Sequence, residues 1–262
     1  MQISRKGRLK QCVTAGVFDP KMTLDEQCRL AAELGCVGFD LVQTRDWPTL
    51  RKYGLIPTMS SPQMSNITIP AGLNDKANHE RLEKSTREAI DQCAAAGCPN
   101  LITFSGNRHG MADDQGADNC VAFLNRVKTQ AEDKGVTICM EQLNSTVNHK
   151  DYMCDHTAWG AGVMKRVNSP RVKLLYDIYH MQIMEGDVAK TITDNFQWIA
   201  HFHTGGVPGR HEIDDTQELN YHFVAKVIAD LGFTGYIAHE YRPAPGRDPK
   251  ESLREAIAIM TV

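Results

Sequence analysis

Nowhere in the 262 residues do 18 apolar residues run together, which excludes a membrane-spanning helix. Nor is there an excess of positive charge: 29 Lys and Arg face 32 Asp and Glu, for a net charge of −3. Binding to nucleic acid draws mostly on attraction to phosphate, so nucleic acid is a poor first expectation. The eight cysteines form no CxxC pair. They sit mostly inside apolar patterns, where free Cys behaves as a small hydrophobe, and the expectation is a reducing, cytoplasmic setting. Neither a P-loop nor a Gly-x-Ser-x-Gly elbow occurs, and the first strand-to-helix turn, GVFDPKMT, lacks the glycines of a dinucleotide fingerprint. The basic opening MQISRKGRLKQ has no apolar run and reads as a solvated lead-in over residues 1–10.

What is present is a repeat. Short β-branched or apolar runs at 11–18, 37–42, 56–61, 100–105, 136–143, 172–179, 199–204 and 235–241 alternate with helical patterns at 23–35, 47–54, 79–97, 116–135, 156–168, 187–199, 220–232 and 249–260. Several helical stretches start at a capping residue and stop at glycine. Eight strand-then-helix units with no linker predict one α/β domain over residues 1–262, a single (β/α)8 TIM barrel. Segment 62–78, PQMSNITIPAGLNDKAN, follows strand 3 on the catalytic side, where a long connection serves as a substrate-contacting loop or lid, or as a plain surface loop.

In such a barrel the last inward residue of each strand reaches the C-terminal mouth. Strands 5 to 8 end at Glu141, Asp177, His203 and Glu240. Three carboxylates converging with one imidazole repel one another unless a divalent cation relieves them, and the mainly oxygen donor set suits one Mn, Mg, Co or Zn ion. His180, three residues after Asp177, is placed to donate to a substrate oxygen. His201, one pleat below His203, is expected to support a ligand from behind. In the run HFHTGGVPGRH the glycines serve the turn, and they are followed by Arg210 and His211; Arg210 could meet a substrate carboxylate and His211 lies beside it. Asn107 and Arg108, in SGNRHG after strand 4, are further candidates for substrate binding, with Arg108 an alternative carboxylate clamp.

The stretches MEQLN (140–144), YDIYHMQIMEGD (176–187), HFHTGGVPGRHEIDDTQELNY (201–221) and YIAHEY (236–241) resemble the hydroxypyruvate isomerase family within the xylose-isomerase-like barrels. The resemblance is strongest over residues 136–245. It implies that Glu141, Asp177, His203 and Glu240 hold the metal, with Glu141 and Glu240 as the acid/base pair on either side of the substrate. It also implies proton transfer through a metal-bound cis-enediolate, giving aldose–ketose isomerisation of a sugar or hydroxy-keto acid. Position 203 is Gln in typical hydroxypyruvate isomerases and His in ketose 3-epimerases, so epimerisation stays open, as does a lyase of an inosose or keto-glycoside. An endonuclease IV-like phosphodiesterase is the alternative of another class; it calls for histidines after strands 2 to 4, where this chain offers Gln43, Ser60 and Ser61. The implied partner is a small carbonyl substrate, and relatives of this kind form homo-oligomers.

Overall fold

Each strand of three to six residues is too short to bury its own surface, and the helix that follows covers it. The result, in a computed structural model that describes residues 7–262, is a ring of eight parallel strands wrapped in helices. The strands are β1 (Lys10–Val13), β2 (Gly38–Asp40), β3 (Ile56–Met59), β4 (Asn100–Thr103), β5 (Thr137–Glu141), β6 (Val172–Asp177), β7 (Ile199–Thr204) and β8 (Tyr236–His239). The main covering helices are α1 (Leu24–Glu33), α2 (Trp47–Lys52), α3 (His79–Ala96), α4 (Asp113–Lys134) and α5 (Thr157–Val167). They continue with α6 (Ile178–Met184), α7 (Val188–Asn195), α8 (Tyr221–Asp230) and α9 (Pro249–Ile259).

The ladder runs β3-β2-β1-β8-β7-β6-β5-β4. Side chains help to close the remaining seam. The Ser60 amide donates to the Asn100 carbonyl at 2.9 Å, the Asn100 side chain donates to the Thr58 carbonyl at 2.8 Å, and the Ile102 amide donates to Ser60 Oγ at 3.1 Å. Ser60, expected only as a strand-3 end, is thus a closure residue.

Helix α3 shows why the sequence folds this way. Leu82, Ala89, Ile90 and Cys93 are buried at helical spacing, and Gly97 ends the helix in a left-handed conformation at φ +71°. Burying a leucine of this kind contributes about 2 kcal/mol, so Leu82→Asp would strip the helix from the sheet. Helix α1 starts on a capping box between Thr23 and Glu26. All eight cysteines are buried, in keeping with the apolar setting expected of them.

Boundaries shift at several places, most at the first strand, which was expected over 11–18 but ends at Val13 and gives way to a 3-10 turn over Ala15–Val17. The sixth strand was expected to run to residue 179, but it stops at Asp177, whose side chain accepts the His180 amide at 3.2 Å and so caps α6. The expected helix 187–199 ends at Asn195 and gives way to a 3-10 turn over Phe196–Trp198. Segment 62–78 holds two 3-10 turns, and its far half is tied down: Leu73 and Asn74 donate to the carbonyls of Phe104 and Ser105 at 3.1 and 2.7 Å. That anchoring favours the loop over the lid. Of the lead-in, residues 1–6 lie outside the described residues, and Lys10 already belongs to β1.

Candidate metal and active site

The ends of β5, β6 and β7, and the residue after β8, meet at one mouth. Asp177 is in register with His203, and His203 with Ala238, which brings Glu240 alongside. The Glu240 amide still donates to the Thr204 carbonyl at 3.0 Å, so the ladder fixes this glutamate although the strand has ended. Ligand atoms of Glu141, Asp177, His203 and Glu240 all lie within 4.8 Å of one another. The first three residues are buried, and the Glu240 side chain keeps 25% of its surface exposed.

His203 Nδ1 lies 2.6 Å from Glu240 Oε2 and 3.2 Å from Glu141 Oε1. Yet this buried nitrogen makes no well-formed hydrogen bond with either carboxylate. Its other nitrogen, Nε2, donates to Asp40 Oδ2 at 3.1 Å. An imidazole held by one nitrogen, with the other aimed among carboxylates, is the arrangement of a metal-ligating histidine. The residues present therefore fit a divalent cation.

The loop after β7 returns to the same mouth. Gly206 lies so close to the Glu212 carbonyl that an added Cβ would come within 1.9 Å of it. Its amide donates to the His211 carbonyl at 2.9 Å. Beyond that turn Arg210, in the left-handed region at φ +58°, sends its guanidinium back over the Tyr179 ring, 5.0 Å from the centroid. Its Nη2 donates to Asp177 Oδ2 at 2.6 Å and Glu240 Oε2 at 2.7 Å, and its Nε donates to the Glu240 carbonyl at 2.9 Å.

His180 lies beside it, fully buried. Its Nδ1 accepts the Asn144 amide at 3.0 Å. Its Nε2 lies 2.7 Å from Arg210 Nη1, a group that can only donate. Burial and the Arg210 charge hold His180 well below the usual histidine range, so neutral is its expected form.

Electrostatics divides the two glutamates. Burial, aided by the neighbouring Glu240, pushes Glu141 up to about 7. Burial also acts on Glu240, but the charges of His203 and Arg210 outweigh it and hold this carboxyl at about 2. Asp177 is raised by burial. Two carboxyls separated in this way are suited to one proton donor and one proton acceptor.

Asp40 was missing from the sequence reading. It ends β2, where the register against β3 shifts between Phe39 and Asp40, and Leu41 at φ +64° turns the chain outward immediately afterwards. Its Oδ2 accepts His201 Nε2 at 2.6 Å as well as His203 Nε2, and its Oδ1 accepts the Thr58 hydroxyl. The usable signal was an aspartate within the apolar run VGFDLV. His201, expected beneath His203, reaches that residue through Asp40. Gln43, expected as the offering of strand 2, lines a cleft of about 890 Å³ that also contains Asp40, Arg210, Glu240 and Arg242.

The loop after β4 departs from expectation. Arg108 was a candidate substrate clamp, but its donors go to Asp113, to both oxygens of Asp155, and to the Tyr152 and Met153 carbonyls. All five guanidinium N–H groups are engaged, so Arg108 is a structural clasp. Asn107 donates its amide to the Pro70 carbonyl at 3.1 Å and accepts the Asn74 side chain at 2.7 Å through its own carbonyl. Neither residue lines the cleft. His211 does line it, with Nδ1 against the Arg242 carbonyl at 2.8 Å.

Known proteins resemble this chain at two levels. A 2-oxo-tetronate isomerase of Cupriavidus necator is 39% identical over 103 residues, 38% of this chain and 39% of that one. Hydroxypyruvate isomerase of Escherichia coli is 34% identical over 100 residues, covering 37% and 38%. A 2-oxo-tetronate isomerase of Pectobacterium atrosepticum is 24% identical over 229 residues, covering 83% and 86%. The chain spans less than two thirds of the length of several curated relatives that it matches. Among solved structures, a family 2 AP endonuclease from Brucella melitensis superposes with a TM-score of 0.82 at 23% identity over 94% of this chain and 96% of that one. The 3-keto-D-glucoside 4-epimerase of E. coli superposes at 0.76 and 18% identity, covering 96% and 98%. These two share the fold. The family profile described as xylose isomerase-like TIM barrel matches residues 28–261, and the chain belongs to that family.

Proposed function

We propose that this protein is a divalent-metal-dependent isomerase of a small sugar or hydroxy-keto acid, with Glu141 and Glu240 exchanging the proton. The observation that carries the reading is the pair itself: two glutamates flank His203 Nδ1, one held up to about 7 and the other down to about 2. The curated relatives named hydroxypyruvate isomerase and 2-oxo-tetronate isomerase support it.

A cation held by Glu141, Asp177, His203 and Glu240 would polarise a substrate carbonyl and steady negative charge on its oxygens. The chain's own groups do the rest. Arg210, with His180 beside it, would orient a substrate oxygen at the mouth and so turn the adjacent C–H toward the glutamates. Glu240, as carboxylate, takes the proton from the carbon next to the carbonyl, and a proton returns to carbon from Glu240 or, across the substrate, by way of Glu141. Return to the neighbouring carbon gives the isomer; return to the opposite face of the same carbon gives the epimer. Histidine at 203, shared with ketose 3-epimerases in the resemblance above, keeps the second outcome in play.

The test is exchange of deuterium from D2O into hydroxypyruvate, tartronate semialdehyde, 2-oxo-tetronates and ketoses. Wild type is expected to exchange at least one of them, and Glu141→Gln or Glu240→Gln to lower the rate by about 10³-fold or more. No exchange with any carbonyl compound, together with cleavage of abasic DNA, would replace the isomerase with a phosphodiesterase.

A further inference from the structure

The mouth residues rest on a buried polar layer that the proton-transfer scheme does not use. Asp40 is 1% exposed, and His201 and Thr58 are fully buried. The imidazoles of His201 and His203 lie on Asp40 Oδ2 at 2.6 and 3.1 Å. His201 is itself steadied by Asn100, whose side chain lies 3.5 Å from its Nδ1. Three donors from two strands, His201 and His203 on β7 and Thr58 on β3, therefore hold one carboxylate, and that carboxylate holds His203.

The consequence concerns the His203 tautomer. A carboxylate only accepts, so the nitrogen facing it must carry a proton. Asp40 therefore keeps the N–H on Nε2, so that Nδ1, which lies 2.6 Å from Glu240 Oε2 and 3.2 Å from Glu141 Oε1, is the nitrogen whose proton a cation would replace. We propose that Asp40 is a positioning residue that commits His203 to metal binding through Nδ1, with His201 holding Asp40 in place. The inference rests on the metal-dependent reading above. Asp40, His201 and His203 also have the composition of a second metal site. However, the direct 2.6 Å contact between His201 and Asp40 is a charge-assisted hydrogen bond, and His203 Nε2 is already committed to the same oxygen.

Asp40→Asn keeps the shape and inverts the logic. If the amide nitrogen faces the imidazoles, it donates, Nε2 must accept, and the proton moves to Nδ1, pointing at the carboxylates. The experiment is calorimetric titration of metal-free protein with Mn²⁺ alone, beside thermal unfolding of the same metal-free samples. Wild type is expected to bind one equivalent, and Asp40→Asn to bind about 10- to 100-fold more weakly. His201→Gln, which keeps a donor for Asp40, is expected to fall between them.

A purely structural role would lower the unfolding temperature of metal-free Asp40→Asn and leave the Mn²⁺ affinity of the folded fraction unchanged; that result overturns the proposal. So does binding of two equivalents by wild type with one lost in Asp40→Asn, which would make Asp40 a ligand. If Asp40→Asn does not fold, wild-type affinity in His201→Gln overturns it equally. Failure of wild type to bind any metal would instead remove the underlying reading.

Discussion

Two loops on the same rim of the barrel carry the same dipeptide: Arg108-His109 after β4 and Arg210-His211 after β7. Arg210 reaches Asp177 and Glu240 inside the mouth, whereas Arg108 is spent on Asp155, Asp113 and two carbonyls. The difference lies in what each loop meets. The glycine-rich turn after β7 doubles back toward the uncompensated carboxylates of the neighbouring strands. The β4 loop lies against the chain around Asp151 and Tyr152, as the Arg108 amide bond to the Asp151 carbonyl at 2.8 Å shows. An arginine's sequence neighbourhood says little about which carboxylate it will find.

The contrast can be broken first at Arg210. Arg210→Met is expected to lower kcat/KM by about 10²- to 10³-fold in the exchange assay, the usual loss for a preorganised donor. Retained turnover would make it a rim charge like any other. Arg108→Met should do the reverse. It leaves buried Asp155 with Ser145 and His156 as its side-chain partners, costing about 3 kcal/mol in denaturant unfolding while the folded fraction keeps its kcat/KM.

Acidity gives a smaller effect. Because Glu141 is held up to about 7, it favours the metal-free fold below its ordinary value of 4.5, and that contribution is lost as pH rises through about 7. A cation must displace this proton, so added Mn²⁺ should raise the unfolding temperature more at pH 8 than at pH 6. Equal gains would take Glu141 out of the site. The smallest change is expected at His211, which is tied to a backbone carbonyl at the cleft edge. His211→Ala should raise KM by about twofold, the scale of a surface substitution.

Asp177 and Asp40 show how far the sequence reaches. Asp177 could be found because it lies near the end of the run 172–179, of clear strand character, on the inward alternation that also picks out Glu141, His203 and Glu240. Asp40 could not, because β2 is three residues long and contains a register shift, which parity counting along one chain does not reveal. Arg108 looked equivalent to Arg210 for a related reason: exposure and loop position can be inferred locally, but a partner 47 residues away cannot.

The sequence by itself therefore determined the periodicity, the eight strand-and-helix units and the residue at the end of each of the last four strands. Those follow from local propensity and from the alternation of side chains along a strand. Only the tertiary structure decided which loop arginine enters the mouth, which histidine nitrogen faces the carboxylates and which aspartate stands behind it. Such pairings join residues from 30 to 163 positions apart, and the register of closed strands brings them within hydrogen-bond distance.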